Sequence, residues 1–535
     1  MTETDSRAVV LGAGIAGLLA ARVLAEFHPS VTVVERDALP ERAEQRTGVP
    51  QGRHLHSLLA RGAQVIDELF PGVLGELAGA GAIVDDGDDL SRLYVRVGRY
   101  ELNPKGRLAD PKPLAAYQAS RPFLECHLRR RVSMLDNVRI LDRRNIVAPV
   151  MDGDSVSGVR IINRDSGTAS TLPASLVVDA TGRTGRSAHF LATQAFGVVP
   201  EERITSSGGY SSQLLSIPPG RIRQRMAFVN QGRSAPGALL VAYEHDTWML
   251  AISRSDEDGL PPETFAEMLR LAEPLLPTTI TAGLREATCL GDISISRNTR
   301  AVWRRYDQMP DLPTGLIVFG DALCSLNPLH GQGMTMAALQ ALSLRDCLRA
   351  GSADLPQRFY RAAGEDIGPV WAANRAIDQA PPTGERVPAQ RVRSWLQQAA
   401  TRAASTDIAV TERILRVRGL IDPPERLRDP SLFARILLAN LRHPRPARYV
   451  PAPVSHSSLS QDDEQAIRAL VGLQANRRKG RTQITRLRYL TPDVALIQAR
   501  AAITGRLRCV ARRNTSVAVR TGDGWSLAFS QNTAY

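Results

Sequence analysis

Ala8-Val9-Val10-Leu11-Gly12-Ala13-Gly14-Ile15-Ala16-Gly17-Leu18-Leu19-Ala20-Ala21-Arg22 is the stretch that decides the fold. Ala8 to Leu11 is a short apolar run stopped by glycine, the pattern of a buried strand. Leu18 to Ala25 contains good helix formers and no breaker, so it reads as a helix. Val31-Thr32-Val33-Val34 reads as the next strand, and Glu35 closes it. Strand, glycine loop, helix, strand and acid stand in the register of a βαβ unit that binds a dinucleotide. The acid falls about twenty residues beyond the glycines, as that unit requires. Gly12 would permit the tight turn, Gly14 a close approach of backbone to pyrophosphate, and Gly17 close packing of the helix on the strand. The helix N-terminus offers free N–H groups and a positive dipole end to phosphate oxygens, which places Ala13, Ile15 and Ala16 in the cofactor-binding set. Glu35, with Arg36 beside it, is placed to meet ribose hydroxyls. Residues 8 to 27 are apolar enough to imitate a signal peptide or a membrane span. Arg22 and the glycines interrupt the run and no basic segment precedes it, so neither export nor a transmembrane helix is expected.

Two further segments carry the same kind of chemistry. Asp179-Ala180-Thr181-Gly182-Arg183 stands in the middle of the chain. Leu316-Ile317-Val318-Phe319 reads as a buried strand ending at Gly320-Asp321, and Asn327-Pro328-Leu329-His330-Gly331-Gln332-Gly333-Met334 follows. Gly331-Gln332-Gly333 opens a helix from Met334 to Leu348. A helix N-terminus there would stabilise negative charge, and Gly331 and Gly333 leave room for a planar ring against backbone.

In this order the segments resemble those of the flavin-dependent monooxygenases of the aromatic-hydroxylase and squalene-epoxidase type. The resemblance covers roughly residues 5 to 450 and is specific for FAD. It implies that Asp321 holds the ribityl chain and that backbone N–H groups from Pro328 to Met334 face the pyrimidine end of the flavin. The middle motif usually carries Asp-Gly, and Ala180 replaces that glycine here. Gln51-Gly52-Arg53-His54-Leu55-His56 and Ser120-Arg121-Pro122-Phe123-Leu124-Glu125 look most like the bacterial branch that contains the polyether epoxidases. By the same likeness Arg121 touches the flavin or its ribityl chain, Arg53 joins the cofactor-binding set, and Val147 covers the adenine. Asp179 ends its strand and supports the loop. His54 and His56 fall at an expected helix start. Two residues apart, they do not share a helix face, and no carboxylate or cysteine cluster makes them a metal pair. One of them is expected near the flavin edge. No metal site is expected.

The implied fold class is α/β: a Rossmann-like FAD-binding domain, a β-sheet substrate domain, a helical extension and a small α+β C-terminal module. The FAD-binding domain is expected in three pieces, 1–92, 119–195 and 300–385. The sheet domain takes 93–118 and 196–299, with strands at Tyr210–Ser216, Gly237–Tyr243 and Thr247–Ile252 that could roof a pocket. Residues 386–450 are helical by their 3.6-residue rhythm. A Pro/Ser linker at 451–460 precedes a module at 457–535. That module starts with a helix at Asp462–Gln474, continues in four strands, and has a hairpin turn at Gly522-Asp523-Gly524. Leu490 to Leu496 and Asp523 to Thr533 resemble the two ends of a SnoaL-like domain without its middle, which implies a packing or dimerisation role. An epoxide-opening partner domain is the sharper alternative, though no Asp-Arg-Asp arrangement is evident.

The chain has 535 residues and a net charge of +13, and only Lys105, Lys112 and Lys479 among its 67 basic residues are lysines. Basic surfaces can attract nucleic acid, anionic lipid or an acidic carrier protein. No aromatic-interleaved basic run supports nucleic acid. An acyl-carrier-bound substrate and peripheral membrane contact stay open beside scattered surface charge. Cys126, Cys289, Cys324, Cys347 and Cys509 show no paired spacing, so reduced thiols in a cytoplasmic protein are expected.

The resemblance implies FAD reduced by NAD(P)H as a transient reductant, then O2, a flavin hydroperoxide and transfer of one oxygen atom to a small hydrophobic substrate. It favours epoxidation of an alkene in a polyketide or terpenoid secondary metabolite. Aromatic-ring hydroxylation of a polyketide is the close alternative. A phenol hydroxylase gains from a base on its substrate, and no obvious base is visible. A flavin-dependent prenyl reductase and a non-catalytic flavoprotein scaffold complete the set. A halogenase is disfavoured because no Trp-x-Trp-x-Ile-Pro segment occurs and no lysine precedes Lys105.

Overall fold

The computed structural model describes residues 7–206, 208–232, 235–255, 259–297, 299–379 and 388–442, with the backbone of four strands between 481 and 534. The expected helix at Asp462–Gln474, the linker and the turn at Gly522-Asp523 lie outside the described residues. The chain divides into two compact units, Met1–Ala380 with Ala404–Arg435, and Pro381–Ala403 with Ile436–Tyr535.

At the centre of the first unit is a five-stranded parallel sheet. Its order is Leu316–Val318, Leu176–Asp179, Arg7–Leu11, Ser30–Val34, Val138–Leu141. These strands are apolar nearly throughout, because helices cover a parallel sheet on both faces. The helix Ile15–Leu24 has only Ala16 and Arg22 not fully buried. Leu18, Leu19 and Leu24 are sealed from solvent, each burial contributing roughly 1.5–3 kcal/mol. The helices Gly333–Arg349 and Leu355–Asp378 join the same core through Ala338, Leu344 and Phe359. Near the far end of this core the hydroxyl of Tyr360 accepts a 2.9 Å hydrogen bond from Val318 N–H, and Phe359 stacks on Phe319.

A second, eight-stranded sheet is largely antiparallel. It runs from Thr288–Cys289 through Gly209–Ser216, Thr247–Arg254, Gly237–Ala242 and Met226–Asn230 to Leu93–Val97 and Tyr100–Glu101. The last strand before the 121 helix, Ala116–Gln118, departs from the expectation for 93–118. It pairs with Ile83–Asp85 in a separate ladder. Side chains alternate across the sheet with the period of two that a strand imposes. Leu215, Leu240, Trp248, Leu250 and Ile252 face a core closed by the helices Phe265–Ala272 and Thr278–Arg285. The first of these helices starts where it does because Thr264 and Glu267 form a capping box. Leu214, Leu239, Val241 and Met249 point the other way and pack with Tyr243 and Leu55.

Helices Ile408–Arg418 and Pro430–Arg442 follow, with Pro388–Ala404 before them. In the second unit, Arg481–Thr491, Val494–Gly505, Arg508–Thr521 and Gly524–Ala534 form an antiparallel meander. Among the described residues no helix is long and apolar enough to cross a membrane.

Candidate functional site: a cradle at the strand ends

The motifs that lie far apart in sequence meet at the carboxyl ends of neighbouring parallel strands. Gly12 follows Leu11, Asp179 closes its strand beside it, Glu35 follows Val34 on the other side, and Gly320-Asp321 follows the outer strand. In open α/β sheets this edge is where ligands bind. Backbone contacts fix the approach. Gly12 N–H donates to Val34 O at 2.8 Å, Ala180 N–H to Leu11 O at 2.9 Å, and Phe319 N–H to Asp179 O at 2.8 Å. Gly12 has φ +99°, and a Cβ there would meet the Ala180 carbonyl oxygen at 2.8 Å. A Cβ on Gly17 would lie 1.8 Å from the Gly12 carbonyl oxygen, so the helix can reach the loop only with glycine at that position.

Gly14 caps the helix Ile15–Leu24 with no side chain bonded to its free N–H groups. Arg121 begins its own helix, Arg121–Ser133, and its guanidinium comes within 3.8 Å of where a Gly14 Cβ would stand. Arg121 Nε is buried and has no hydrogen-bond partner, its nearest counter-charge being a Glu125 carboxylate oxygen at 3.9 Å. Burial lowers the Arg121 pKa, while Glu125 and Asp321 act against that shift. On the opposite side Arg183 Nε lies 3.7 Å from an Asp321 carboxylate oxygen, and Arg183 donates to the Leu326 carbonyl at 2.6 Å. The Gly320 N–H donates to Gln340 at 2.7 Å, which fixes the turn that presents Asp321. The helix Gly333–Arg349 also has no side-chain cap, and a Cβ on Gly333 would sit 3.7 Å from Asp321. Two uncapped helix N-termini, an orphaned buried guanidinium nitrogen and a glycine-lined approach are what a pyrophosphate-bearing dinucleotide needs. The residues present therefore fit FAD.

The family described as FAD binding domain matches residues 5–350. The chain belongs to this family. A Mycobacterium tuberculosis protein, Rv3254, is 37% identical over 453 residues, covering 81% of this chain and 94% of that one. Kynurenine 3-monooxygenase of Salinispora arenicola is 27% identical over 368 residues, 65% of this chain and 74% of that enzyme. Among solved structures, p-nitrophenol 4-monooxygenase PnpA of Pseudomonas putida shares the fold at TM-score 0.54 and 17% identity, covering 78% of this chain and 98% of that one. The flavin-dependent brominase Bmp2 shares it at TM-score 0.55 and 15% identity, covering 81% and 98%. The chain is an FAD-dependent monooxygenase, with FAD as its cofactor.

Within the FAD cradle the remaining expected residues fall as follows. Glu35 is buried and accepts from Ala13 N–H at 2.8 Å and Asp37 N–H at 3.0 Å, leaving lone pairs on both oxygens for a ribose. Asp179 is buried and its carboxylate is engaged inside its own turn by Thr181 N–H, Thr181 Oγ1 and Ser187 Oγ. It supports the loop rather than facing a ligand. Gly182 holds φ +82°, which the turn requires. Arg36 has a half-exposed side chain beside Asp37, and Arg53 is exposed at the end of a 3-10 turn. Val147 is exposed at a bulge in the strand Arg144–Asp152, whose first N–H donates to the Glu35 carbonyl. Met334 is buried in the core, so only its backbone is available to a ligand. Pro328 opens a 3-10 turn, Gly331 has φ +68°, and Gln332 precedes the helix. Cys324 is buried, and burial pushes its thiol pKa well up, so it stays protonated.

Sequence reading missed Arg46. Its buried guanidinium binds Glu125 at 2.6 Å, Asp37 at 3.2 Å and Glu35 at 3.3 Å. Burial opposes its charge, but Glu125, Glu35 and Asp37 together raise its pKa. Arg46 thus ties the expected ribose-binding acid to the helix that carries Arg121. Nothing in the run from Glu41 to Arg46 distinguishes it from Arg42.

The placement of His54 and His56 needs correction. They do not open a helix: Pro50–Arg53 forms a 3-10 turn, the chain then runs extended, and the helix begins only at Ala60. Tyr243 explains why. Its hydroxyl accepts from His56 N–H and donates to His56 O, both at 2.7 Å, so the backbone cannot turn helical there. His54 Nδ1 lies 3.1 Å from Ser212 Oγ, and its ring packs edge-on against Tyr210 at 4.8 Å. Burial pushes the His54 pKa down to about 4. Burial, followed by the charge of Arg121, takes His56 down to about 3. Neutral His56 donates Nδ1–H to the His54 carbonyl at 3.0 Å, which leaves Nε2 as an acceptor. Next to Tyr243, Glu244 accepts from Ser120 N–H and Oγ, so the same strand end also holds the start of the Arg121 helix.

Proposed function

We propose that this FAD-dependent monooxygenase inserts one oxygen atom into an alkene of a hydrophobic secondary metabolite, a polyketide or terpenoid, giving an epoxide. The observation that supports this reading is the chemistry of the face beside His54. Leu214 and Leu239, part-exposed over the buried Val241 and Met249, give it an apolar surface, and Tyr210, Ser212, His54 and His56 are neutral near pH 7. An imidazole with a pKa of about 4 or 3 is too weak a base to take a phenol proton efficiently. Epoxidation needs no such base.

When bound, FAD reduced by NAD(P)H would activate O2, one atom going to the substrate and the other leaving as water. The chain supplies the rest. The glycine loop, Glu35 and Arg121 would hold the dinucleotide. Asp321, oriented by Arg183, would take the ribityl hydroxyls. The loop from Pro328 to Met334 would offer backbone N–H groups to the ring. The apolar face binds the substrate and keeps water away from the reacting centre. Hydroxylation of an aromatic ring is the second reading, favoured by the likeness to kynurenine 3-monooxygenase.

The test starts from the intermediate that accumulates when the gene is deleted in the producing strain. That compound is incubated with the purified enzyme, NADPH and labelled O2. Gain of one labelled atom with loss of the alkene is the expected result. A labelled phenol on an intact ring selects the second reading. A change in hydrogens alone overturns oxygen insertion and points to a reductase. Residues 457–535 we assign to packing or dimerisation. A truncated enzyme with unchanged oligomeric state and thermal stability would contradict that role.

A further inference from the structure

The long helix Leu355–Asp378 ends in two polar side chains that the mechanism above does not use. Asn374 and Asp378 are 2% and 8% exposed, on a helix whose other polar residues mostly face solvent. Both reach the loop that precedes the Gly333–Arg349 helix. Asp378 accepts from Asn327 Nδ2 at 3.1 Å with one carboxylate oxygen and from His330 Nε2 at 3.0 Å with the other. Asn374 Nδ2 donates to Gln332 Oε1 at 2.8 Å. Asn327 in turn accepts from Leu329 N–H at 3.1 Å, so the loop is stitched within itself as well as to the helix.

The same helix is pinned at its other end. Tyr360 accepts from Val318 N–H, on the strand that delivers Gly320-Asp321. Residues 360 and 378 are about 27 Å apart along a helix rising about 1.5 Å per residue. One helix, broken in its hydrogen-bond ladder only at Pro369, therefore contacts both the strand before Asp321 and the loop after it. Gly331, at φ +68°, is an intrinsically permissive point in that loop and would let it drift without outside support.

We propose that Asp378 and Asn374 are positioning residues. They set the 327–332 loop, and through it the backbone N–H groups of that loop and the following helix start, against the flavin. The inference rests on the FAD reading above. It assigns FAD affinity and flavin potential to side chains that touch neither cofactor nor substrate.

The experiment compares wild type with Asp378→Ala, Asp378→Asn, Asn374→Ala and His330→Ala. FAD affinity is read by flavin fluorescence quenching, midpoint potential by dye equilibration, and folding by the melting of the FAD-free protein. Asp378→Ala should weaken FAD binding about tenfold. It should also disfavour the reduced flavin about tenfold, which is about 30 mV for a two-electron couple. Asp378→Asn keeps an acceptor for one partner and should recover part of both effects. His330→Ala removes the same contact from the loop side without touching the helix, and Asn374→Ala removes the neighbouring one. Both should shift affinity and potential in the same direction by smaller factors, and they carry the test if Asp378→Ala does not fold. Folded variants with wild-type affinity and potential would overturn the inference alone. A wild-type protein that takes up no FAD would overturn the cofactor reading together with it.

Discussion

The cradle and the sheet beside it are built on opposite rules. The cradle is a matter of backbone: strand ends, glycines without room for a methyl group, and helix N-termini left open. The sheet is a matter of side chains: period-two alternation, an apolar face and two neutral histidines clamped against it. Backbone devices permit few residue types, so they leave a pattern in sequence. Packing devices accept many apolar residues, so they do not. The difference explains why the cofactor is legible in this chain and the substrate is not.

The sharpest way to break this contrast is Arg46→Ala, because the cradle also contains a charge network that its glycines do not announce. Removing the cation leaves Glu35, Asp37 and Glu125 buried without it. Breaking such a network costs about 3–5 kcal/mol. Thermal unfolding of the FAD-free protein should show a large drop, and FAD uptake should fail. A near-neutral result would mean that the cradle is held by backbone alone.

Gly17→Ala tests the backbone rule itself. The added methyl group would overlap the Gly12 carbonyl, so the helix must move off the strand. The expected cost is at the upper end of the about 1–3 kcal/mol typical of overpacking, with loss of bound flavin in the purified protein.

On the sheet side, Tyr243→Phe strips the clamp from His56 and leaves its N–H and C=O unpaired, for about 1–3 kcal/mol. Bound FAD should survive in this variant while substrate turnover falls, a split that ultraviolet–visible spectra and initial rates would show together.

These outcomes also mark what could be read in advance. Gly12, Gly17 and Gly320-Asp321 stand out in the sequence because each asks for glycine or an acid at one fixed offset from a strand; Gly14, extended and with room for a methyl group, is marked only by its spacing. Arg46, Asn374 and Asp378 do not stand out, since Glu125 lies 79 residues from Arg46, Gln332 lies 42 from Asn374, and Asn327 and His330 lie 51 and 48 from Asp378. His54 and His56 were visible as a motif but misplaced on a helix, because the force that keeps them extended comes from Tyr243, far along the chain.

The smallest expected effect is on pH. A histidine kept neutral by burial has a folded pKa below its unfolded value of 6.5, as His54 does at about 4. The unfolded chain then binds the proton first, so acid favours unfolding. Stability from this source is intact above about pH 6.5 and is lost as pH falls toward about 4. His54→Asn should therefore lose less melting temperature than wild type between pH 7.5 and pH 5. An equal or steeper loss would place the acid sensitivity elsewhere.

The most direct test of the central claim, that separated motifs close one FAD site at the strand ends, is titration of the FAD-free protein with FAD beside Asp321→Ala and Arg121→Ala. Saturation at one FAD per chain in wild type, with weakened binding in both variants, is the predicted result. Wild type that does not saturate, or variants that bind as wild type does, would contradict it.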